Sequence, residues 1–355
     1  MMADAQHGND SETGLRPVRT YSEWDPLREI VVGSAHGLRL PTVKDASLHA
    51  VCHGALSEEE FAQVPTGALP TRIVEETRED LEDFAALLTG LGIRVHRPAP
   101  ADFAERYTTP DWSVDGFHAY CPRDVILTVG REAIETPMCL RHRQNEARLY
   151  RHIMRTTVAP RPRLLDGLYD RSVLGKPTLR NDEPAFDAAN CLKLGYDILM
   201  LISNTGNEAG AAWLQAHLGP DYRVHPVKDV YAFVHIDSSI VPLRPGLVLV
   251  CPDRVNARNL PACLRGWDVI YAPEPDPMLF DPEYNGASKW IALNCLSLGP
   301  DRVVVEQSQT GLMRELERHG LTCVPVRLRH ARTLGGGPHC VTLDLVRDGA
   351  PADYR

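Results

Sequence analysis

The sequence predicts an α/β fold, on two observations. Short apolar strands recur along the chain, and several are followed by a segment with helical spacing and then by another strand. Ahead of each buried strand lies a short stretch rich in polar and small residues. Together they make a weak internal repeat of strand, strand, helix, strand. Such a period marks radial or solenoid architecture. An open α/β sheet produces the same alternation, and periodicity alone does not choose between the two.

The elements follow in order. Residues 1–18 are polar and rich in Gly, Asp and Ser, and read as a flexible tail ahead of one folded domain, 19–355. Residues 29–33 form a short strand closed by glycine. Val74, Leu81, Phe84 and Leu88 share one face of a helix, which Gly90 and Gly92 stop. Residues 93–95 then alternate as a strand. The runs 125–129, 197–201, 247–250 and 302–305 are apolar enough to be buried strands. Residues 207–218 and 309–319 have helical character, and 222–225, 267–270 and 322–326 read as further strands. The polar stretches ahead of the buried strands are 115–124, 186–190, 235–239 and 286–289. A fifth, 335–344, closes the chain with no strand–helix unit behind it, so the N-terminal strand and helix are expected to complete that last unit.

Composition excludes several classes of function. The 355 residues, 43% hydrophobic and 24% charged, suffice for a substantial core. A net charge of -9 argues against a nucleic-acid partner, whose phosphates call for a basic surface. No apolar run is long enough to span a bilayer, and the first residues lack the apolar centre of a signal peptide. The nine cysteines are scattered and never stand as C-x-x-C, which fits free thiols in a reducing compartment and a cytoplasmic location.

Four segments carry candidate chemistry. In 333–344 three glycines precede Pro338, His339 and Cys340. A backbone without Cβ walls lets a planar group approach closely, although Gly-Gly-Gly also fits a plain hairpin turn. Cys340 stands out because it follows that turn at a strand start, next to His339; a thiol there needs activation to act as a thiolate at neutral pH. In 235–237, period-two alternation places His235 and Asp237 on one strand face, where a histidine can serve a leaving amine and a carboxylate can hold a guanidinium. A satisfied structural histidine is the better reading of a His-x-Asp taken alone. In 186–190, Asp187 can orient a histidine or simply cap a turn. In 120–124, Asp124 and Arg123 enter a buried strand. No His or Cys pair has zinc-ligand spacing, so no metal is expected.

Taken together, these segments resemble a known family. Glu23-Trp-Asp-Pro-Leu27, Pro122-Arg-Asp124, Phe186-Asp-Ala-Ala189, His235-Ile-Asp237, Pro252-Asp-Arg254, Ser288-Lys-Trp290 and Leu334-Gly-Gly-Gly337 before His339-Cys340 resemble, in order, the arginine amidinotransferases. The likeness runs from about Tyr21 onward. Thr109-Pro-Asp-Trp112, Asp115-Gly-Phe-His118 and Ser203-Asn-Thr-Gly-Asn-Glu208 look like the branch that serves streptomycin-type biosynthesis, as does Asn190. Ala232 stands where the glycine-specific branch has Asn, and Pro338 replaces the usual Phe. The resemblance implies a single-domain, fivefold pseudosymmetric α/β propeller of the pentein type. It implies Cys340 as nucleophile, His235 as proton shuttle and Asp187 as its partner. Asp124 and Asp237 would hold the donor guanidinium, Arg254 and Ser288 the donor's amino-acid end, with Asn190 also in the substrate site. It implies no cofactor. The partners would be small molecules, L-arginine and an amine acceptor such as an amino-cyclitol phosphate, with homodimer formation left open. Arg141, Arg143 and Arg258 are the candidates for a phosphate. The alternatives are an amidinotransferase for glycine or another small amine, a deiminase of the same superfamily using water and, last, a guanidine-binding protein without catalysis.

Overall fold

The computed structural model describes residues 15–54, 56–163, 169–170, 178–231, 233–284 and 286–354. Its frame is five three-stranded sheets of one topology. In chain order, β1 (Leu27–Val32) pairs parallel with β2 (Arg94–His96). The second sheet holds β3 (Ile126–Val129), β4 (Glu132–Glu135) and β5 (Thr157–Val158). The third holds β6 (Cys191–Leu194), β7 (Asp197–Leu201) and β8 (Arg223–Val227). The fourth holds β9 (Ile240–Arg244), β10 (Leu247–Val250) and β11 (Asp268–Tyr271). The fifth holds β12 (Leu296–Gly299), β13 (Arg302–Glu306) and β14 (Thr322–Val326). The last strand, β15 (Thr342–Arg347), returns to pair antiparallel with β1. The first sheet is therefore completed by both ends of the chain, as the sequence led one to expect.

In every sheet the middle strand pairs antiparallel on one side and parallel on the other. A hairpin makes the first pairing in the second to fifth sheets, and the returning β15 makes it in the first. The parallel pairing needs a crossover, supplied by helix α3 (Thr71–Gly90) in the first sheet, α4 (Glu208–Leu218) in the third and α5 (Thr310–Arg318) in the fifth. Before α3 lie two short helices that the sequence reading passed over, α1 (Ala46–Cys52) and α2 (Glu58–Gln63). They are capped by Asp45 and by a Ser57–Glu60 capping box.

The central strands are apolar because both faces are covered: Ile198, Leu199, Met200 and Leu201 are all fully buried. Alternate residues then serve different neighbours. Leu199 packs with Ile240 and Val248 of the fourth sheet, while Ile198 packs with Leu127 and Ile134 of the second. Val31 joins Ile126 of the second sheet, and Ile30 joins Val304 of the fifth. Leu249 and Val303 share the cluster between the fourth and fifth sheets. Each such side chain is worth about 1.5–3 kcal/mol when buried.

The stretch 15–18, read as part of the tail, is docked. The Arg16 N–H donates to the Ile153 carbonyl at 2.9 Å and Val18 is buried against the second sheet.

Candidate active site

The polar stretches ahead of the first strand of each sheet converge. A short 3-10 turn, Pro122–Asp124, precedes β3, and another, Ala188–Asn190, precedes β6 with Asp187 at its start. A turn at 236–239 precedes β9, Ser288 opens the turn Lys289–Leu293 ahead of β12, and a turn carrying Cys340 precedes β15. His235, Asp237, Ser288 and Cys340 line one cavity of about 380 Å³, the size expected of a small-molecule site.

His235 and Asp237 do not lie on a strand, contrary to the period-two reading. His235 has φ of 44°, in the left-handed region, which costs a side-chain residue energy and recurs at functional sites. The bend aims the imidazole inward. Its Nε2 meets Asp187 Oδ2 at 3.1 Å, and Nδ1 lies 3.6 Å from Asp124 Oδ1. Burial alone would disfavour the imidazolium, but Asp124 and Asp187 outweigh it and raise the His235 pKa to about 9. His235 is thus charged at neutral pH. Burial raises the Asp187 carboxyl, an effect His235 partly offsets.

Cys340 is 2% exposed. Its backbone N–H donates to Asn294 Oδ1 at 2.9 Å, and its thiol lies 3.3 Å from Asp237 Oδ2. The same carboxylate oxygen accepts from His339 Nδ1 at 2.8 Å. Burial disfavours the Asp237 anion, yet His339 and His235 hold it well below the usual carboxylate range. The Cys340 thiol is pushed well above its ordinary value by its hydrogen bond with Cys121, by burial and by Asp237. The resting pair is therefore neutral thiol and imidazolium. Asp124 Oδ1 and Asp187 Oδ1 are buried with no hydrogen-bond partner, an arrangement that costs energy unless a donor-rich cation arrives.

Arg254 and Ser288 are brought together: Nη2 donates to Ser288 Oγ at 2.7 Å, Nη1 reaches Ser238 and Ser239 hydroxyls at 3.1 and 3.0 Å, and the guanidinium stacks on Tyr231. Among the described residues, no group of three or more His, Cys, Asp or Glu side chains is disposed to hold a metal ion. No described helix is long and apolar enough to cross a membrane.

No protein-family model matches the chain. It is 48% identical over 338 residues to inosamine-phosphate amidinotransferase 1 of Streptomyces griseus, covering 93% of this chain and 97% of that one. It is 36% identical over 362 residues to the mitochondrial glycine amidinotransferase of Gallus gallus, covering 95% and 85%. The solved structure of an inosamine-phosphate amidinotransferase from Streptomyces griseus superposes with a TM-score of 0.90 at 47% identity, covering 95% of this chain and 99% of that one. This chain belongs to the amidinotransferase family. It is a transferase with that family's α/β fold.

Four expectations for this amidinotransferase change. Asn190 is fully buried, and its amide is spent on the Leu201 carbonyl, Ser203 and Thr205 at 2.9 to 3.0 Å. It shapes the loop behind Asp187 and does not line the cavity. Arg143, read as a surface cation for phosphate, is buried and clamps Asp124 Oδ2 at 2.5 Å and Glu146 at 2.8 Å. Arg141 is buried and paired with Asp45, and Arg258 is exposed and is not among the cavity-lining residues. Ala232 lies outside the described residues. Sequence reasoning missed the site roles of Arg143, Asn294, His339 and Glu23, whose carboxylate is 3.4 Å from His339 Nε2. Two signals were available: His339 adjoins Cys340, and Glu23 opens the first of the matched segments. Asn294 offered none, and Arg143 drew notice only as a candidate for a phosphate.

Proposed function

We propose that this amidinotransferase carries the amidino group of L-arginine to an amino-cyclitol phosphate, with scyllo-inosamine phosphate as first candidate, through a covalent adduct on Cys340, and releases ornithine. One observation carries this reading: Cys340, His235 and Asp237 line one cavity, and the buried Asp124 and Asp187 carboxylates that flank His235 each keep an oxygen without a hydrogen-bond donor. A guanidinium is the planar cation that such oxygens accept. The names of the relatives support the acceptor.

The donor guanidinium binds Asp124 and Asp237, with its amino-acid end on Ser288 and Arg254. Its positive charge offsets the Asp237 field that holds the thiol neutral. Sulfur attacks the central guanidine carbon as the thiol proton passes to Asp237. The bond from that carbon to the side-chain nitrogen breaks, and His235 gives that nitrogen a proton from Nδ1, the ring nitrogen with no hydrogen bond. Ornithine leaves with a neutral amine, and the amidino-cysteine keeps the cationic charge. The acceptor amine then attacks the same carbon, His235 takes its proton, and the departing sulfur recovers the proton held at Asp237. The cycle balances and calls for no cofactor. Asp187 orients and charges His235.

The five sheets of one topology, linked cyclically by five hydrophobic clusters, support a fivefold pseudosymmetric propeller with this site at its axis. The scattered free cysteines support a reducing, cytoplasmic location.

The test uses L-arginine alone, then an acceptor panel of inosamine phosphate, inosamine, glycine and lysine. Arginine alone should release one ornithine per active site and leave an amidino group on Cys340 by intact mass, and two-substrate initial-rate plots should be parallel. Citrulline as the product would make the enzyme a hydrolase. Near-normal turnover by Cys340→Ser would remove the covalent step, whose loss should cost several orders of magnitude.

A further inference from the structure

We propose that Arg332 is the residue that receives the acceptor's phosphate; this rests on the acceptor reading above. Arg332 lines the cavity that holds Cys340 and is the one arginine among its described lining residues. It sits on the short helix α6 (Ala331–Leu334), one turn ahead of the glycine run. Its guanidinium lies over the Phe280 ring, with the central carbon 4.1 Å from the ring centroid. Its Nε donates to the Ala287 carbonyl at 3.2 Å, and the Ala287 N–H donates back to the Arg332 carbonyl at 2.9 Å. Stack and hydrogen bond fix the plane of the group. The two terminal nitrogens make no hydrogen bond or ion pair among the described residues.

The other arginines near the site are committed. Arg143 is locked between Asp124 and Glu146, and Arg254, held by three serine side chains, is assigned to the donor's amino-acid end. A phosphate carries two negative charges or nearly so and is met best by a planar fork of N–H donors. Arg332 offers that fork, already oriented, so little freedom is lost when an anion binds. The aromatic side chains of Tyr231, Phe233 and Phe280 line the same cavity; Arg254 and Arg332 cover one face of Tyr231 and of Phe280, and the ring of Phe233 suits the C–H face of a saturated ring.

The experiment compares wild type with Arg332→Gln and Arg332→Lys. Glutamine keeps a donor for Ala287, and circular dichroism checks the fold. Arg332→Gln should raise KM for inosamine phosphate by about 10- to 100-fold, with kcat nearly unchanged. Lysine should recover part of the loss. The kcat/KM for unphosphorylated inosamine and the ornithine burst from arginine alone should hold. Equal losses on phosphorylated and free acceptor would overturn the proposal, and a lost burst would place Arg332 on the donor's carboxylate instead. Inorganic phosphate should compete with the acceptor in the wild type and not in Arg332→Gln, which tests the anion site whatever the acceptor proves to be. A wild type that prefers glycine would sink the acceptor reading and leave the phosphate-competition result to judge Arg332.

Discussion

A thiol buried between Cys121 and Asp237 is a poor nucleophile until its proton has somewhere to go. Asp237, 3.3 Å from the sulfur, is the acceptor within reach. If the proton moves there as arginine binds, the free enzyme must start with a protonated His235 and a neutral Cys340. His235 has its pKa raised to about 9, and its charged form is the one required. The kcat/KM for arginine should therefore stay level from neutral pH and fall as pH rises through about 9. Replacing Asp187 by Asn removes an anion that favours the imidazolium, so the falling limb should shift to lower pH. A rate that climbs toward pH 9 would show instead that the thiol ionises to solvent before arginine binds. The participants were legible in the sequence, since Cys340, His235, Asp187 and Asp237 stand in the polar stretches. Their protonation states were not, because these depend on burial and on Asp124, more than a hundred residues from His235.

The turn that carries Cys340 shows why its glycines are needed. Gly335 ends α6 with φ of 74°, the left-handed cap that glycine adopts without strain. Gly336 passes so close to its neighbours that a Cβ would stand 2.7 Å from both Cys121 Sγ and Tyr120 Cε1, and the Tyr120 hydroxyl donates to the Gly336 carbonyl at 2.9 Å. The sequence suggested an open backbone for a substrate to approach; at Gly336 the closest neighbour is the protein itself. Pro338 enters this turn without conflict. Its fixed φ suits the start of a loop closed by the Val341 N–H on the Gly337 carbonyl at 3.1 Å, and its own carbonyl accepts from the Thr342 hydroxyl at 2.8 Å. Gly336→Ala should overpack this contact, destabilise by about 1–3 kcal/mol and lower kcat by about tenfold or more as Cys340 is displaced. Gly90→Ala, at an exposed helix end with open space around it, should be neutral or slightly stabilising. Thermal melts and steady-state rates on the two variants separate tight packing from glycine content, and equal behaviour would contradict the packing account.

At the scale of the whole molecule, charged groups from separate sheets meet on β15. Asp344 accepts from Arg123 at 2.5 Å, Lys193 at 3.2 Å and Arg347 at 2.9 Å. Arg123 comes from ahead of β3 and Lys193 from β6, and Arg347 donates onward to the carbonyls of Asp25 at 2.6 Å and Ser297 at 3.0 Å. Glu23 joins through Lys193 at 3.4 Å. The apolar strands around this centre could be read from their composition; the network could not, because its members are separated by up to several hundred residues and each looks like an ordinary surface charge in sequence. Lys193 is 1% exposed, so its charge is tolerable only while its partners remain. Lys193→Met should leave Asp344 and Glu23 short of a buried cation and destabilise by about 3–5 kcal/mol at neutral pH. The pH dependence gives the sharper test. Burial would raise the Glu23 pKa, but Lys193, His339 and Arg123 lower it from 4.5 to about 2, and Asp344 is lowered in the same sense. A carboxylate with a depressed folded pKa stabilises above its unfolded value and loses that contribution as pH falls through the folded one. The gap in urea midpoint between wild type and Lys193→Met should therefore be widest near neutrality and narrow as pH falls from about 4.5 toward 2. A gap that stays constant over that range would mean that Lys193 acts through packing of its aliphatic stem, and an unchanged midpoint at neutral pH would mean that the centre is not held by this ion pair.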